Sequence, residues 1–294
     1  MSTTDPLGEL VVVTVTYGSA GHIGPTMQAL PADRLAGIVV VDNASSDDTV
    51  AVVRSLGIPN LTVVANERNV GFGAGNNVGL AAAPPSRWVA FVNPDAHVDA
   101  DALLALVNHL EATPTAAMAG PRLSDASGPI TSAGRLPTVA GLVRYQTPEP
   151  IRRLLPERRL PATHATTGPV GQIEGACMVC DRAAIEAIGG FDERFFLFFE
   201  ESDLARRLAD VGRTVELVAG ASAFHAVGAT RTGEQLGSLP HYVVSAVRYL
   251  DRWHGPRAVA RFRRGLRMAW WLRWRGGKLA ADDRRVLLEA LQTR

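Results

Sequence analysis

The 294-residue sequence predicts an α/β fold, a mostly parallel sheet with helices on both faces, followed by C-terminal helices. Three observations carry this. Short β-branched runs alternate with helical patterns four times within roughly the first 115 residues. The strand ends at one edge, Tyr17, Asp42, Asn66 with Glu67, and Asp95, are polar or aromatic, as expected where a parallel sheet opens its ligand crevice. From residue 239 the pattern turns purely helical.

In chain order, "ELVVVTVTYG" reads as a buried strand closed by glycine, and a helix is expected around residues 22 to 30. "GIVVVDNASSDD" is a second strand stopping at Asp42. Ser46, Asp47 and Asp48 can cap the helix in "DTVAVVRSLG", which ends at Gly57. "LTVVANE" is a third strand, "GFGAGNNVGLAAA" a glycine-opened helix, "RWVAFVNPD" a fourth strand and "DADALLALVNHLEA" a helix with apolar residues at helical spacing. Residues 121 to 170, rich in Pro, Gly, Arg and Thr, read as irregular structure around a site. Order resumes with the strand in "GQIEGACMVC", the helix "DRAAIEAIG", "FFLFFEESDLARR" leading a helix to about Val211, and the strand in "RTVELVAGA". Beyond 239, Val243, Val247, Leu250 and Trp253 share one side of a helix. The expected domains are 1–238, in two halves of about 1–120 and 121–238, and a helical region 239–294.

Composition narrows the function. A net charge of +1 and an ordinary apolar fraction point away from a chain that coats polyanions or stays disordered, so nucleic acid is not an expected partner. Two cysteines, Cys177 and Cys180, make no disulfide framework and suit a reducing compartment. On a strand, residues three apart point to opposite faces and cannot chelate one ion, so both read as interior thiols. The N-terminus lacks the features of a signal peptide, and no apolar run approaches the ~20 residues of a membrane span. A cytoplasmic protein is expected, one that could still touch the inner face of the plasma membrane.

Several groups can carry chemistry. Asp42 either accepts the imide N–H of a pyrimidine base stacked on Tyr17, or caps a turn with Asn43. "NVGFGAGNNVG" fails the dinucleotide fingerprint because its third glycine position is Asn76. What remains is a helix start whose free N–H groups favour anions, with Asn69, Asn76 and Asn77 adding donors, or else a tight packing turn. "FVNPDAHVD" is an N-x-D version of the D-x-D pattern, in which a carboxylate holds Mg2+ or Mn2+ against a diphosphate. His225, beyond a later strand, could be a second ligand suited to Mn2+. In "FFLFFEESDLARR", Asp203 and Arg207 are spaced to pair on a helix. That leaves Glu200 and Glu201 beside phenylalanines, where desolvation would raise a carboxylate toward the range of a general base.

These pieces occur in order in one family. "VVVTVTYGS", "VVVDNASSDDT", "NERNVGFGAGNNVGL", "FVNPDAHVD", "GGFDERFFLFFEESDLARRL" and "FHAVGATR" resemble inverting nucleotide-sugar glycosyltransferases of family two with the GT-A fold, rhamnosyltransferase-like branch, over about residues 9 to 255. The resemblance implies that Thr16, Tyr17 and Asp42 hold the donor's base. Asn69, Gly71, Gly73 and Asn76 would line its diphosphate and sugar, with Asn93 and Arg207 also toward substrate. Asp95 and His225 would bind Mn2+ or Mg2+, and Glu201, or else Glu200, would be the general base. Asn93 stands where the first acid of D-x-D is usual, and Glu201 is one methylene longer than the usual Asp.

The implied activity is metal-dependent inverting transfer, of L-rhamnose from dTDP-L-rhamnose, to a glycan or polyprenyl-diphosphate-linked acceptor of the cell envelope. UDP-galactofuranose or UDP-N-acetylhexosamine are the alternative donors. Two other classes compete: a Rossmann-type oxidoreductase, disfavoured by the failed fingerprint, and a noncatalytic nucleotide- or membrane-binding module. The last draws on residues 252–285, where eleven basic residues stand against Asp282 and Asp283 and are interleaved with Trp270, Trp271 and Trp274. Such a segment either lies on an anionic membrane or caps the catalytic domain with a solvated arginine face.

Overall fold

The computed structural model describes residues 5–153, 166–226, 238–277 and 279–292. They divide into two compact units. The first contains residues 5–135, 166–194 and 200–226; the second contains 136–153, 195–199 and the described residues from 238 onward.

The first unit begins with a 3-10 turn and alternates strand and helix: β1 (Leu10–Thr16), α1 (Ile23–Ala29), β2 (Gly37–Asp42), α2 (Thr49–Ser55), β3 (Leu61–Ala65), α3 (Phe72–Ala82) and β4 (Trp88–Val92). Then come β5 (Ala96–His97), α4 (Ala100–Ala112), β6 (Ala116–Asp125), β7 (Gly128–Pro129) and β8 (Ala133–Gly134). The helices α5 (Val139–Gln146) and α6 (Glu149–Arg152) belong to the second unit. The first unit resumes with β9 (Gly168–Val170), β10 (Gln172–Ile173), β11 (Cys177–Asp181), α7 (Arg182–Ala187), α8 (Glu200–Asp210) and β12 (Thr214–His225).

The main sheet runs β3-β2-β1-β4-β11-β6-β12-β5. Its β3-β2-β1-β4 half is parallel, as the alternation predicts. β11 then enters antiparallel between β4 and β6, and β12 lies parallel to β6. Every residue of β1 and β2 is buried because both faces are covered. Leu10, Val12, Ile38 and Val40 join α1 and α4 in one core, whereas Val13 and Val41 face α3 on the other side. That second contact is close. A Cβ at Gly79 would come within 2.3 Å of Val13 Cγ1, so α3 can lie on β1 only without a side chain there. Strand register shapes the edge of the sheet, because Thr16 aligns with Asp42 and Asp42 with Ala65, bringing three strand ends to one line.

Cys177 and Cys180 are buried, free thiols in β11, and burial alone pushes Cys177 up to about 12. They are interior residues, as their spacing on a strand predicts.

The second unit consists of α5, α6 and three longer helices, α9 (Leu239–His254), α10 (Pro256–Arg275) and α11 (Ala281–Ala290), together with the segment 195–199. Gly255, at φ 77°, ends α9, and Pro256 starts α10 at the position where a missing N–H costs nothing. Its core collects Phe195, Phe199, Val243, Tyr249, Phe262, Leu266 and Trp270. The expected division at 238 treated the chain as contiguous. The observed second unit also takes 136–153, read as irregular, and the phenylalanine segment.

Candidate active site

The line of strand ends is held by a lattice of short polar contacts. Asp42 is buried, and Ala44, at φ 60°, turns the chain so that Ser45 returns to it. The Ser45 N–H donates to Asp42 Oδ2 (3.0 Å) and the Ser45 hydroxyl to Oδ1 (2.5 Å). Ser45 Oγ in turn accepts from the Gly18 N–H (2.9 Å). Asp42 is thus a turn cap, with lone pairs on both oxygens still available to a ligand donor. Tyr17 beside it is 57% exposed, an open face for stacking. Thr16 is buried, and its hydroxyl has no hydrogen-bond partner among the described residues.

Asn43 extends the lattice. Its amide donates to the Gly71 carbonyl (3.0 Å), and its Oδ1 accepts from Asn66 Nδ2 (2.8 Å), tying the ends of β2 and β3 to the glycine loop. Asn69 Oδ1 accepts from the Gly71 N–H (2.9 Å), and Gly71, at φ 92°, opens α3. Gly73 lies close under the neighbouring segment: a Cβ would be 3.2 Å from Phe191 Cβ and 3.3 Å from Glu200 Cγ. Asn76 does not reach the loop mouth; it is buried and donates to its own helix at Phe72 O (3.1 Å). Asn77 is a brace. It accepts from the Phe191 N–H (2.8 Å) and donates to Phe191 O and Glu193 Oε1 (2.9 and 3.0 Å).

The two expected metal ligands meet. β12 pairs with β5 so that His225 faces Ala96, which puts His225 Nε2 3.2 Å from Asp95 Oδ1 and 3.5 Å from Asn93 Nδ2. Asp95 is buried, and Asn93 Oδ1 is buried with no hydrogen-bond partner among the described residues. Adjacent ligands of an octahedral ion with bonds of about 2.1 Å are about 3 Å apart, so a carboxylate oxygen and an imidazole nitrogen at 3.2 Å fit one edge of such a sphere. No group of three or more His, Cys, Asp or Glu side chains able to hold an ion occurs among the described residues. A divalent cation here would complete its sphere with oxygens beyond these two side chains, as Mg2+-type sites do with water and phosphates. Residues 227–231 of "FHAVGATR" lie outside the described residues.

The carboxylates at the start of α8 have separate places. The chain enters this helix through Phe198 and Phe199, both at φ 72°, a conformation that costs L side chains about 1 kcal/mol or more and concentrates at functional sites. Glu200 is buried, its stem against Gly73. Glu201 is partly exposed, and its acid is pushed up to about 7, first by burial and then by the neighbouring carboxylate of Glu174. Hydrogen bonds from the helix N–H groups and with Glu200 act in the opposite direction. Asp203 is fully buried and pairs with Arg207 Nε at 2.7 Å, and Arg207 Nη1 donates to Ile188 O (2.9 Å). That guanidinium is engaged in holding α8 to the end of α7, which differs from the substrate contact expected of it. Ser202 adds a bond to Gln172 (2.7 Å).

Glu174, Asn43 and Ser45 are the site residues that the motifs do not single out. Glu174 has a faint signal, as a lone acid in the small and apolar run "QIEGACMVC". Asn43 is read only as a turn companion of Asp42, since its partners Gly71 and Asn66 lie in other elements, and Ser45 is one unremarked residue of "VVVDNASSDDT".

Comparisons with known proteins identify the family and the fold. Residues 11–186 match the profile of Glycosyl transferase family 2. The chain is 30% identical, over 237 residues covering 74% of it and 75% of the relative, to an N-acetylglucosaminyl-diphospho-decaprenol L-rhamnosyltransferase of Mycobacterium tuberculosis. Among solved structures, it is similar to the mannosyltransferase PcManGT from Pyrobaculum calidifontis in complex with GDP-Man and Mn2+, with TM-score 0.60 and 19% identity over 96% of this chain and 78% of that one. It is likewise similar to S. aureus TarS 1-349 in complex with UDP-GlcNAc, with TM-score 0.57 and 14% identity over 96% of this chain and 79% of that one. At these identities the structures speak for the GT-A fold alone.

Proposed function

The chain belongs to glycosyl transferase family 2 and is a glycosyltransferase, and from that premise we propose that it transfers L-rhamnose from dTDP-L-rhamnose, with inversion, to a hydroxyl of a polyprenyl-diphosphate-linked glycan. The observation that carries the chemistry is the convergence of Asp95 and His225 at 3.2 Å on the edge that also bears the glycine-opened α3. The choice of sugar and acceptor rests on the likeness to the mycobacterial rhamnosyltransferase.

Each residue has a defined part. Tyr17 offers a stacking face to the donor's base and Asp42 acceptor lone pairs to its imide N–H. The loop Asn69–Gly73 receives the diphosphate, where backbone N–H groups and the helix dipole favour negative charge. Asp95 and His225, with Asn93 alongside, would hold a divalent cation, which supplies charge neutralisation as the nucleoside diphosphate leaves. Glu201 takes the proton of the acceptor hydroxyl, whose oxygen forms the new bond to the anomeric carbon while the bond to the diphosphate breaks. Attack opposite the leaving group inverts the anomeric centre in a single displacement. With its acid near 7, Glu201 is ionised often enough to accept that proton at neutral pH and holds it firmly once taken.

The test is thermal shift and donor hydrolysis with dTDP-L-rhamnose, UDP-galactofuranose and UDP-N-acetylglucosamine, each with and without Mn2+ or Mg2+. Stabilisation and hydrolysis with dTDP-L-rhamnose and metal are expected, and Asp95→Ala should abolish the metal-dependent part of the shift. A preference for another donor replaces the sugar assignment. No shift with any nucleotide diphosphate in the presence of metal ends the whole reading.

A further inference from the structure

The second unit carries a groove that the transfer reaction does not use. It is an open depression of about 1070 Å3 formed by α9, α10 and α11. Five guanidiniums line it, those of Arg248, Arg263, Arg264, Arg267 and Arg284, against the single carboxylate of Asp251. Arg263, Arg264 and Arg267 fall within little more than one turn of α10, so their charges are concentrated on one side of that helix. Arg264 and Arg267 are exposed and form no ion pair among the described residues. The same groove is lined by Met268 and Trp271, which are 59% and 42% exposed.

Arginines beside exposed apolar side chains ask for a ligand that presents phosphate oxygens and hydrocarbon together. A soluble anion would leave Met268 and Trp271 in water, and a purely apolar partner would leave the guanidiniums without counter-charge. We propose that this groove is a docking surface for the anionic phospholipid headgroups of a bilayer, with phosphodiesters paired to Arg264 and Arg267 and with Met268 and Trp271 inserted at the headgroup level. Charge complementarity chooses the occupant: a surface with five positive groups to one negative is attracted to an anionic leaflet and indifferent to a zwitterionic one. Trp and Met are suited to the boundary between headgroup and chain, where an amphipathic helix lies in the plane of the interface. No helix among the described residues is long and apolar enough to cross a membrane, so the contact is one of surface adsorption.

The full chain is tested by co-sedimentation with vesicles of phosphatidylglycerol and of phosphatidylcholine. Partition onto phosphatidylglycerol vesicles is expected, with little onto phosphatidylcholine, and it should fall steeply as salt rises from about 0.1 to about 1 M and the screening length shortens. R264E/R267E should lower the partition about tenfold or more. M268A/W271A should weaken it while leaving its salt dependence in place. Both variants change exposed side chains, and an unaltered thermal shift with nucleotide diphosphate checks that the first unit is intact. Equal binding to the two vesicle types, or wild-type sedimentation of both variants, overturns the proposal. Displacement by inorganic diphosphate at equal phosphate concentration would assign the groove to a soluble phosphate ligand. Equal affinity for a DNA oligomer would make it a general polyanion surface, and either result also overturns the bilayer reading.

Discussion

Glu201 is the residue whose environment most directly sets behaviour. Burial and the Glu174 carboxylate both favour its uncharged acid, raising it from the ordinary 4.5 to about 7. A base must be ionised, so transfer should rise with pH through about 7, and Glu174→Gln should move that limb toward lower pH by removing the like charge. Glu201→Gln should keep donor binding and lose transfer by about 100-fold or more. Glu200→Gln should keep the limb; if transfer instead disappears there and survives in Glu201→Gln, the base is Glu200. The stability effect has the opposite sign. Because the folded-state acid is raised, its contribution is complete below about 4.5 and is lost as pH rises through about 7. Glu201→Gln should therefore gain on wild type across that window, reaching roughly 1–3 kcal/mol above it, and denaturant unfolding at pH 4 and 8 measures the difference.

At the scale of the element, α8 is held by Arg207, which pairs with Asp203 inside the helix and donates to Ile188 O beyond α7. Removing one partner of such a pair leaves an uncompensated charge inside, so Asp203→Ala should destabilise by about 3–5 kcal/mol in denaturant unfolding. Arg207→Met, which takes from the buried Asp203 carboxylate its guanidinium partner on the helix, should also destabilise in the same measurement. The spacing of Asp203 and Arg207 made this pair legible in the sequence, because i, i+4 neighbours on a helix meet whatever the fold around them. The first four strands and their helices were legible for the same reason, since β-branched runs and helical periodicity are local. The partners of Asn43, the bracing of Phe191 by Asn77 and the approach of Glu174 to Glu201 were not. Each joins residues from separate elements, and only the tertiary packing of strands, helices and loops brings them together. Asp95 and His225 fall between these cases: their identities suggested a shared ion, and the β12–β5 pairing supplied the meeting.

On the scale of the whole molecule, sequence order and spatial grouping part company. The boundary expected at 238 followed the change of periodicity, which is a local signal. What periodicity cannot carry is that α5 and residues 195–199 join the C-terminal helices, where Gly265 lets Val143 of α5 approach α10 and Phe199 stacks near Tyr242 and Tyr249. The phenylalanines read as a wall beside the carboxylates are, for Phe195 and Phe199, part of the second unit's own core. A chain cut after residue 238 should thus fail as a soluble fragment, since Leu142, Phe195 and Phe199 lose Val243, Phe262 and Trp270. Its solubility and the sharpness of its thermal unfolding, compared with the full chain, check this. The interleaving also has a consequence for how the protein is made. Phe195–Phe199 are polymerised about 70 residues before Trp270, one of the α10 side chains that cover them, which at roughly 5–20 residues per second is a delay of about 4–14 s. Once that segment clears the exit tunnel, the nascent chain displays aromatic side chains whose cover is still being translated, and a chaperone that grips apolar stretches has its natural docking point there.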